Sequence, residues 1–249
     1  MKAQDGVKEL LPNSVHLVFT SPPFNCGILY DEYDDGADLE TYVNMITEVF
    51  TEVYEVLVDG GRCVVDIPPV IKMRNRRIDM HVLFSMILEG IGFQFRDVIW
   101  WLKGRKRLEE ATRYNSTNWG TWCSPRNPSP RSFTEILLCF SKGRPDLLDG
   151  EEGGTDLTKE EFPILTNSIW LLPGRTDPRH PACFPQVLAE RVIKLYTWIG
   201  NTVVDPFAGI GTTLMAAKKL GRRYYGFDVS EEYCRIANGS LTQQLITGY

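Results

Sequence analysis

Several whole classes of protein are excluded by what this chain does not have. No apolar run approaches the roughly 20 residues that a bilayer-spanning helix needs. The opening MKAQDGVKELL carries no apolar stretch of the signal-peptide kind. A cytoplasmic protein without a membrane partner is therefore expected. Cysteine is sparse and scattered (Cys26, Cys63, Cys123, Cys139, Cys183, Cys234), with no C-x-x-C pair, and the three histidines stand apart. Neither a disulfide framework nor a zinc site is expected from that pattern, and no metal is assigned. A basic surplus is missing too. Against 32 Asp and Glu there are 27 Lys and Arg, a net charge of −5, which counts against a nucleic-acid partner.

That last absence holds for the total and not for its parts. Residues 31–59 contain ten acidic side chains and no Lys or Arg, whereas 72–113 contain ten basic against five acidic. A phosphate backbone responds to the field beside its groove more than to the overall charge. DNA therefore stays open as a partner.

At 249 residues, 43% of them hydrophobic, the chain suits one large α/β domain spanning 1–249. VHLVFT (15–20) is a short apolar run stopped by Pro22-Pro23, which predicts a buried strand delivering a rigid loop. Apolar residues at spacings of three and four (Leu39, Tyr42, Val43, Ile46, Val49, Phe50, Val53, Leu57) predict a helix over 38–58. Asp38 is its candidate N-cap and Gly60-Gly61 its expected end. Further strands are expected at 63–67, 93–102, 135–140, 202–205 and 223–228, and helices at 78–89, 185–197 and 212–220. Alternating strands and helices imply a mostly parallel sheet with helices on both faces. Two segments break the rhythm. Residues 103–131, rich in Arg, Trp, Asn, Ser and Pro, suggest a long ordered excursion, and the acidic, Gly-containing 146–161 is expected to be flexible.

Two constellations carry chemistry. In VVDPFAGIGTTLMAAKKLGRRYYGFDVS a strand ends at Asp205, a Gly-containing turn follows, and a helix opens near Thr212. Gly209 and Gly211 would let the backbone pass close to a ligand. Asp228, at the end of the next strand, is placed to accept both ribose hydroxyls of an adenosine. Leu214 stands where a dinucleotide fingerprint wants a third glycine. Asp205 would repel a pyrophosphate and welcome a cationic methionine moiety. S-adenosylmethionine fits both departures better than a nicotinamide dinucleotide.

DPFAGIGTT resembles the S-adenosylmethionine-binding motif of the amino-methylating DNA methyltransferases. The resemblance assigns cofactor contacts to Asp205, Pro206, Phe207, Gly209, Gly211, Thr212 and Asp228. HPACFP (180–185) is similar to the segment that family places on the cofactor's other side, which adds Phe184 and Pro185. The second constellation, Ser21-Pro22-Pro23-Phe24, resembles the family's catalytic (S/D/N)-P-P-(Y/F) tetrapeptide. Its chemistry suits a conjugated amine, whose delocalised lone pair makes it a poor nucleophile. Ser21 Oγ and the Pro22 carbonyl would accept the two N–H groups and push nitrogen towards sp³. Pro23 would hold that carbonyl fixed, and Phe24 would offer a flat face to a base flipped out of double-stranded DNA.

The catalytic tetrapeptide precedes the cofactor loop, as in the circularly permuted β class of that family. STNWGTWCSPRNPSPRSFTEILLCFSKG resembles the W-G-S-W-x-S-P…E-x-I-x-x-F-S-K segment of members that methylate cytosine at N4. The resemblance implies a Rossmann-like, circularly permuted methyltransferase fold and a site-specific cytosine-N4 DNA methyltransferase in a restriction-modification setting. Adenine-N6 methylation by the same machinery, and a silent cofactor- or DNA-binding module, remain as rivals. A homodimer and a companion endonuclease remain open. Departures are Phe24 in place of the commoner Tyr, Asp228 in place of Glu, and a short interval between Lys142 and Asn167 where many relatives carry a target-recognition insertion. DNA contacts are expected instead from Lys103, Arg105, Lys106, Arg107, Arg113, Trp119 and Arg126.

Overall fold

The computed structural model describes residues 1–73, 76–104, 120–130, 132–147 and 154–243. After a short α1 (Ala3–Lys8) the chain forms β1 (Val15–Thr20), α2 (Leu39–Val56) and β2 (Leu57–Ile67). A hairpin, β3 (Val70–Met73) and β4 (Arg76–Asp79), leads to α3 (Met80–Ile91), β5 (Gln94–Lys103) and β6 (Thr134–Ser141). Then come α4 (Phe162–Leu165), β7 (Ile169–Leu172), α5 (Gln186–Tyr196), β8 (Thr202–Asp205), α6 (Thr212–Lys219), β9 (Arg223–Gly226) and α7 (Glu231–Gln243). Seven strands form one sheet in the order β7-β5-β6-β2-β1-β8-β9. β6 runs antiparallel to both neighbours and every other pairing is parallel. The mostly parallel α/β fold is as expected.

Burial on both faces explains the near-continuous apolar strands. In β1, Leu17 and Phe19 face Trp101, Trp170 and the helices α5 and α6, while Val18 faces α2 and α3. The same alternation runs through β2 (Val64 against Cys63 and Val65) and β6 (Leu137 and Cys139 against Ile136 and Leu138). Among the described residues no helix is long and apolar enough to cross a membrane.

Local expectations fail where tertiary pairing takes over. Asp38 caps α2 as expected, its carboxylate accepting from Thr41 N at 3.0 Å. Gly60-Gly61 does not end that helix. The chain passes directly into β2, where a shifted register between Val15 and Leu17 puts the glycines in a bulge. Gly60 has φ +82°, and a Cβ there would lie 2.0 Å from the Asp146 carbonyl. The helix expected from residue 78 starts at Met80 instead, because 76–79 pairs in the hairpin and Asp79 becomes the cap.

Of the segment expected to be flexible, 148–153 lie outside the described residues, and 154–161 are tied to the body. Arg222, whose side chain is fully buried, meets both Asp156 oxygens at 2.8 Å and also donates to Thr197 and Leu220. Glu161 pairs with Lys194 at 2.8 Å. Acidic composition signalled solvation, but here it supplies partners for buried cations. Asp156→Ala is expected to destabilise the fold by about 2–3 kcal/mol, because a buried guanidinium loses its counter-charge while keeping carbonyl acceptors. Urea unfolding of the variant against the native chain measures this.

Candidate active site

Parallel strands deliver their C-terminal ends to one side of the sheet, and the antiparallel β6 delivers its beginning there. Ser21, Asp66, Lys103 and Asp205 thus close or follow β1, β2, β5 and β8, and Glu135 opens β6 beside them. Two adjoining cavities occupy this rim, of about 320 Å³ and about 250 Å³. Ser21, Phe24, Cys183 and Phe184 wall both.

The larger cavity is built on the turn after β8. Asp205, 1% exposed, does not line it. Its carboxylate points inward, accepting from Thr20 Oγ1 and Thr213 Oγ1 at 2.6 Å each and from Phe207 N at 3.1 Å. The expected contact between Asp205 and a ligand's cationic end is therefore corrected: both oxygens brace the turn. Burial raises this carboxyl to about 6 against the pull of those donors.

Asp228 does line the cavity. Each of its oxygens accepts one main-chain N–H, from Gly209 at 2.8 Å and from Ser230 at 2.9 Å, which leaves a second lone pair on each. Gly209 has φ +50°, and a Cβ on it would lie 2.9 Å from His180 Nε2. Gly211 serves another purpose than the one expected. With φ +83° it caps α6, and a Cβ there would strike Ala237 of α7 at 2.8 Å, so the close approach is helix to turn and not ligand to backbone. His180 Nδ1 accepts from Ala182 N at 3.2 Å, and burial lowers its basicity, so a neutral ring carries its proton on Nε2.

Phe24 and Pro23 also wall this cavity, and Tyr42 stiffens the loop by donating to the Pro23 carbonyl at 2.9 Å. Asp35 holds the next turn, accepting from Asn25, Cys26 and Ile28 N. Ser21 donates its O–H to the Asp66 carbonyl at 3.0 Å. The remaining electron pairs of Oγ are then acceptors only.

Of the residues expected at the site, Ser21, Pro23, Phe24, Phe184, Pro206, Phe207, Gly209, Thr212 and Asp228 come together around the larger cavity. Pro22 is buried and lines neither cavity. Pro185 caps α5 and lines neither cavity. Arg105, Lys106, Arg107, Arg113 and Trp119 lie outside the described residues, and Arg126 is exposed. Lys103, its side chain 26% exposed, pairs with Glu135 on the wall of the smaller cavity and lies over the Trp101 ring at 4.9 Å. Tyr30, Tyr233 and Asp66, which carry no motif of their own, also wall the site, as do His180 and Glu135. The signal for Asp66 was a lone charge in VVDIPP, in the same setting as Asp205 in VVDPF.

A sequence profile described as DNA methylase, of the N6/N4 type, matches residues 15–239. The chain belongs to this DNA methylase family. Across 90% of its length the methylase is 28% identical to the type II methyltransferase M.MjaI of Methanocaldococcus jannaschii, of which it covers 84%. It superposes with a TM-score of 0.75 and 28% identity on a chain of Thermus thermophilus described as a DNA modification methylase and solved with S-adenosyl-L-methionine, covering 99% of this chain and 93% of that one. Against the cytosine-N4-specific PvuII DNA methyltransferase the TM-score is 0.74 at 21% identity, over 99% of this chain and 86% of that one, a likeness of fold. The sheet is that of the Rossmann-like methyltransferases.

The bracing of Asp205 can be read through pH. Its folded-state value of about 6 exceeds the ordinary 3.8, so its protonated form favours folding at low pH, and that contribution is lost as pH rises through about 6. Thr213→Val removes one donor to the carboxylate and pushes the value higher still. Its stability deficit is expected to widen as pH rises through 6, reaching about 2 kcal/mol once the native Asp205 is ionised. Urea midpoints of both chains across that range test this; a constant gap would contradict it.

Proposed function

We propose that this methylase transfers a methyl group from S-adenosylmethionine to the N4 amine of cytosine at a specific site in DNA. The observation that carries the proposal is the place of Ser21 between two cavities, with its proton already donated to the Asp66 carbonyl. One cavity suits the methyl donor. Asp228 offers free lone pairs for ribose hydroxyls, and Phe184, Phe207 and Ile210 offer apolar walls. Bound there, S-adenosylmethionine supplies an electrophilic methyl carbon on a sulfonium.

The other cavity suits a flipped base. Ser21 Oγ, fixed as an acceptor, draws on an amine N–H and so returns electron density to nitrogen where the new bond forms. Phe24 gives the ring a flat wall. Serine at the head of the tetrapeptide, together with the segment around Trp119–Pro125, favours cytosine. In chain order β1 with its catalytic loop precedes β8 with its cofactor loop, although β1 and β8 are sheet neighbours. That order supports the circularly permuted β class. The setting is restriction-modification on cytoplasmic DNA, with an endonuclease of matching site as the natural companion.

Ser21→Ala is expected to slow transfer about 100-fold or more, since a preorganised acceptor acts chiefly in the transition state. Its affinity for S-adenosylmethionine should stay native. Asp228→Ala should weaken that affinity roughly 10-fold or more, as expected for a lost hydrogen bond to a charged group. Calorimetric titration and tritium transfer to DNA separate the two effects. Mass spectrometry of nucleosides digested from the product is expected to show N4-methyl-2′-deoxycytidine. N6-methyl-2′-deoxyadenosine in its place would overturn the choice of base.

A further inference from the structure

Asp66 closes β2 and is 1% exposed, yet neither of its carboxyl oxygens receives a hydrogen bond. A buried carboxylate left in that state would cost several kcal/mol. Sheet register places it there. Asp66 lies opposite Leu137 of β6, and Glu135, two residues earlier on that strand, lies opposite Trp101 of β5. Lys103, two residues further along β5, pairs with Glu135. Two carboxyls thus share one ammonium ion, and Glu135 has it. Burial first, then the charge of Glu135, push the Asp66 carboxyl well above the usual range, against a smaller opposing pull from Lys103. Burial beside Glu135, with the one ammonium already paired, favours the protonated form of this carboxyl. It shares the wall of the smaller cavity with Ser21 and Phe24.

We propose that Asp66 determines which atom of the flipped base is methylated: its acid O–H donates to the ring nitrogen beside the target amine, and its carbonyl oxygen accepts one amine N–H. The other N–H goes to Ser21 Oγ. This rests on the reading of the smaller cavity as the base site. Cytosine and adenine both present an amine beside an unprotonated ring nitrogen, so the pairing holds for either. That ring nitrogen keeps its lone pair in the ring plane, outside the π system, and is the better nucleophile of the two. Occupied by the acid proton, it no longer competes for the methyl group. Glu135 and Lys103 are positioning residues, since their pairing leaves the proton on Asp66.

The test uses two duplexes carrying the sequence that the chain methylates in expressing cells. One has the natural target base and the other has its ring nitrogen replaced by C–H. Single-turnover tritium transfer is measured for the native chain, Asp66→Asn and Asp66→Ala, with calorimetric binding of S-adenosylmethionine as the check on folding. The native chain should lose roughly 10-fold on the altered duplex, the scale of one buried hydrogen bond. Asp66→Ala should lose a similar factor on the natural duplex and no longer distinguish the two. Asp66→Asn keeps a donor in the same place and should retain most of the discrimination. An Asp66→Ala chain that binds the cofactor normally and still discriminates like the native one would overturn the proposal. So would native indifference to the replaced nitrogen, however the variants fold. A native chain that transfers to neither duplex overturns the underlying reading of the site, and this appears before any variant is compared.

Discussion

The buried carboxylate of Asp205 holds the two halves of this enzyme together. One oxygen takes the hydroxyl of Thr20, the residue before Ser21, and the other takes Thr213 in the first turn of α6, both at 2.6 Å. The two partners lie 193 positions apart in the chain. The first oxygen also holds Phe207 N, so the cofactor loop, the catalytic strand and the helix behind them share one small charged group. Charge-assisted hydrogen bonds of this kind are short and directional, and a group with three donors in a closed interior has little freedom to move.

Three aspartates end or follow strands on the same rim, and the number of donors around each one separates their uses. Asp205 has three donors and is internal scaffolding. Asp228 has two main-chain donors and keeps lone pairs towards the cavity, as a binding group must. Asp66 has none, and burial beside another carboxyl pushes it well above the usual range. Similar residues in similar local sequence thus acquire different chemistry from their surroundings alone. Lys103 shows the same dependence: its neighbours in the chain make it part of a basic run, and its neighbours in space make it the counter-ion of Glu135.

The antiparallel β6 is what makes this concentration of groups geometrically accessible. A parallel strand at its position would carry Glu135 to the far end of the sheet. Its reversal brings the start of one strand to the ends of its neighbours. The smaller cavity is the space this leaves beside Ser21.

Much of the architecture was legible in the sequence, because local signals decide strands and turns when they are strong. VHLVFT before two prolines could hardly be other than a buried strand, and the period of α2 with Asp38 at its head placed that helix to within two residues. The turn after β8 and the Ser21–Phe24 loop were recognisable for the same reason: glycine at positive φ, proline and a strand-end carboxylate are short-range devices. Other elements were not. The edge strand β7 and the helix α7 have patterns too short or too polar to stand out, and they form because a sheet edge and the back of the Gly211 turn are there to receive them. The partners of Asp205, the inward turn of Lys103 and the isolation of Asp66 depend on strand order and direction. Those are set by pairing between residues tens to nearly two hundred positions apart, and no local pattern encodes them.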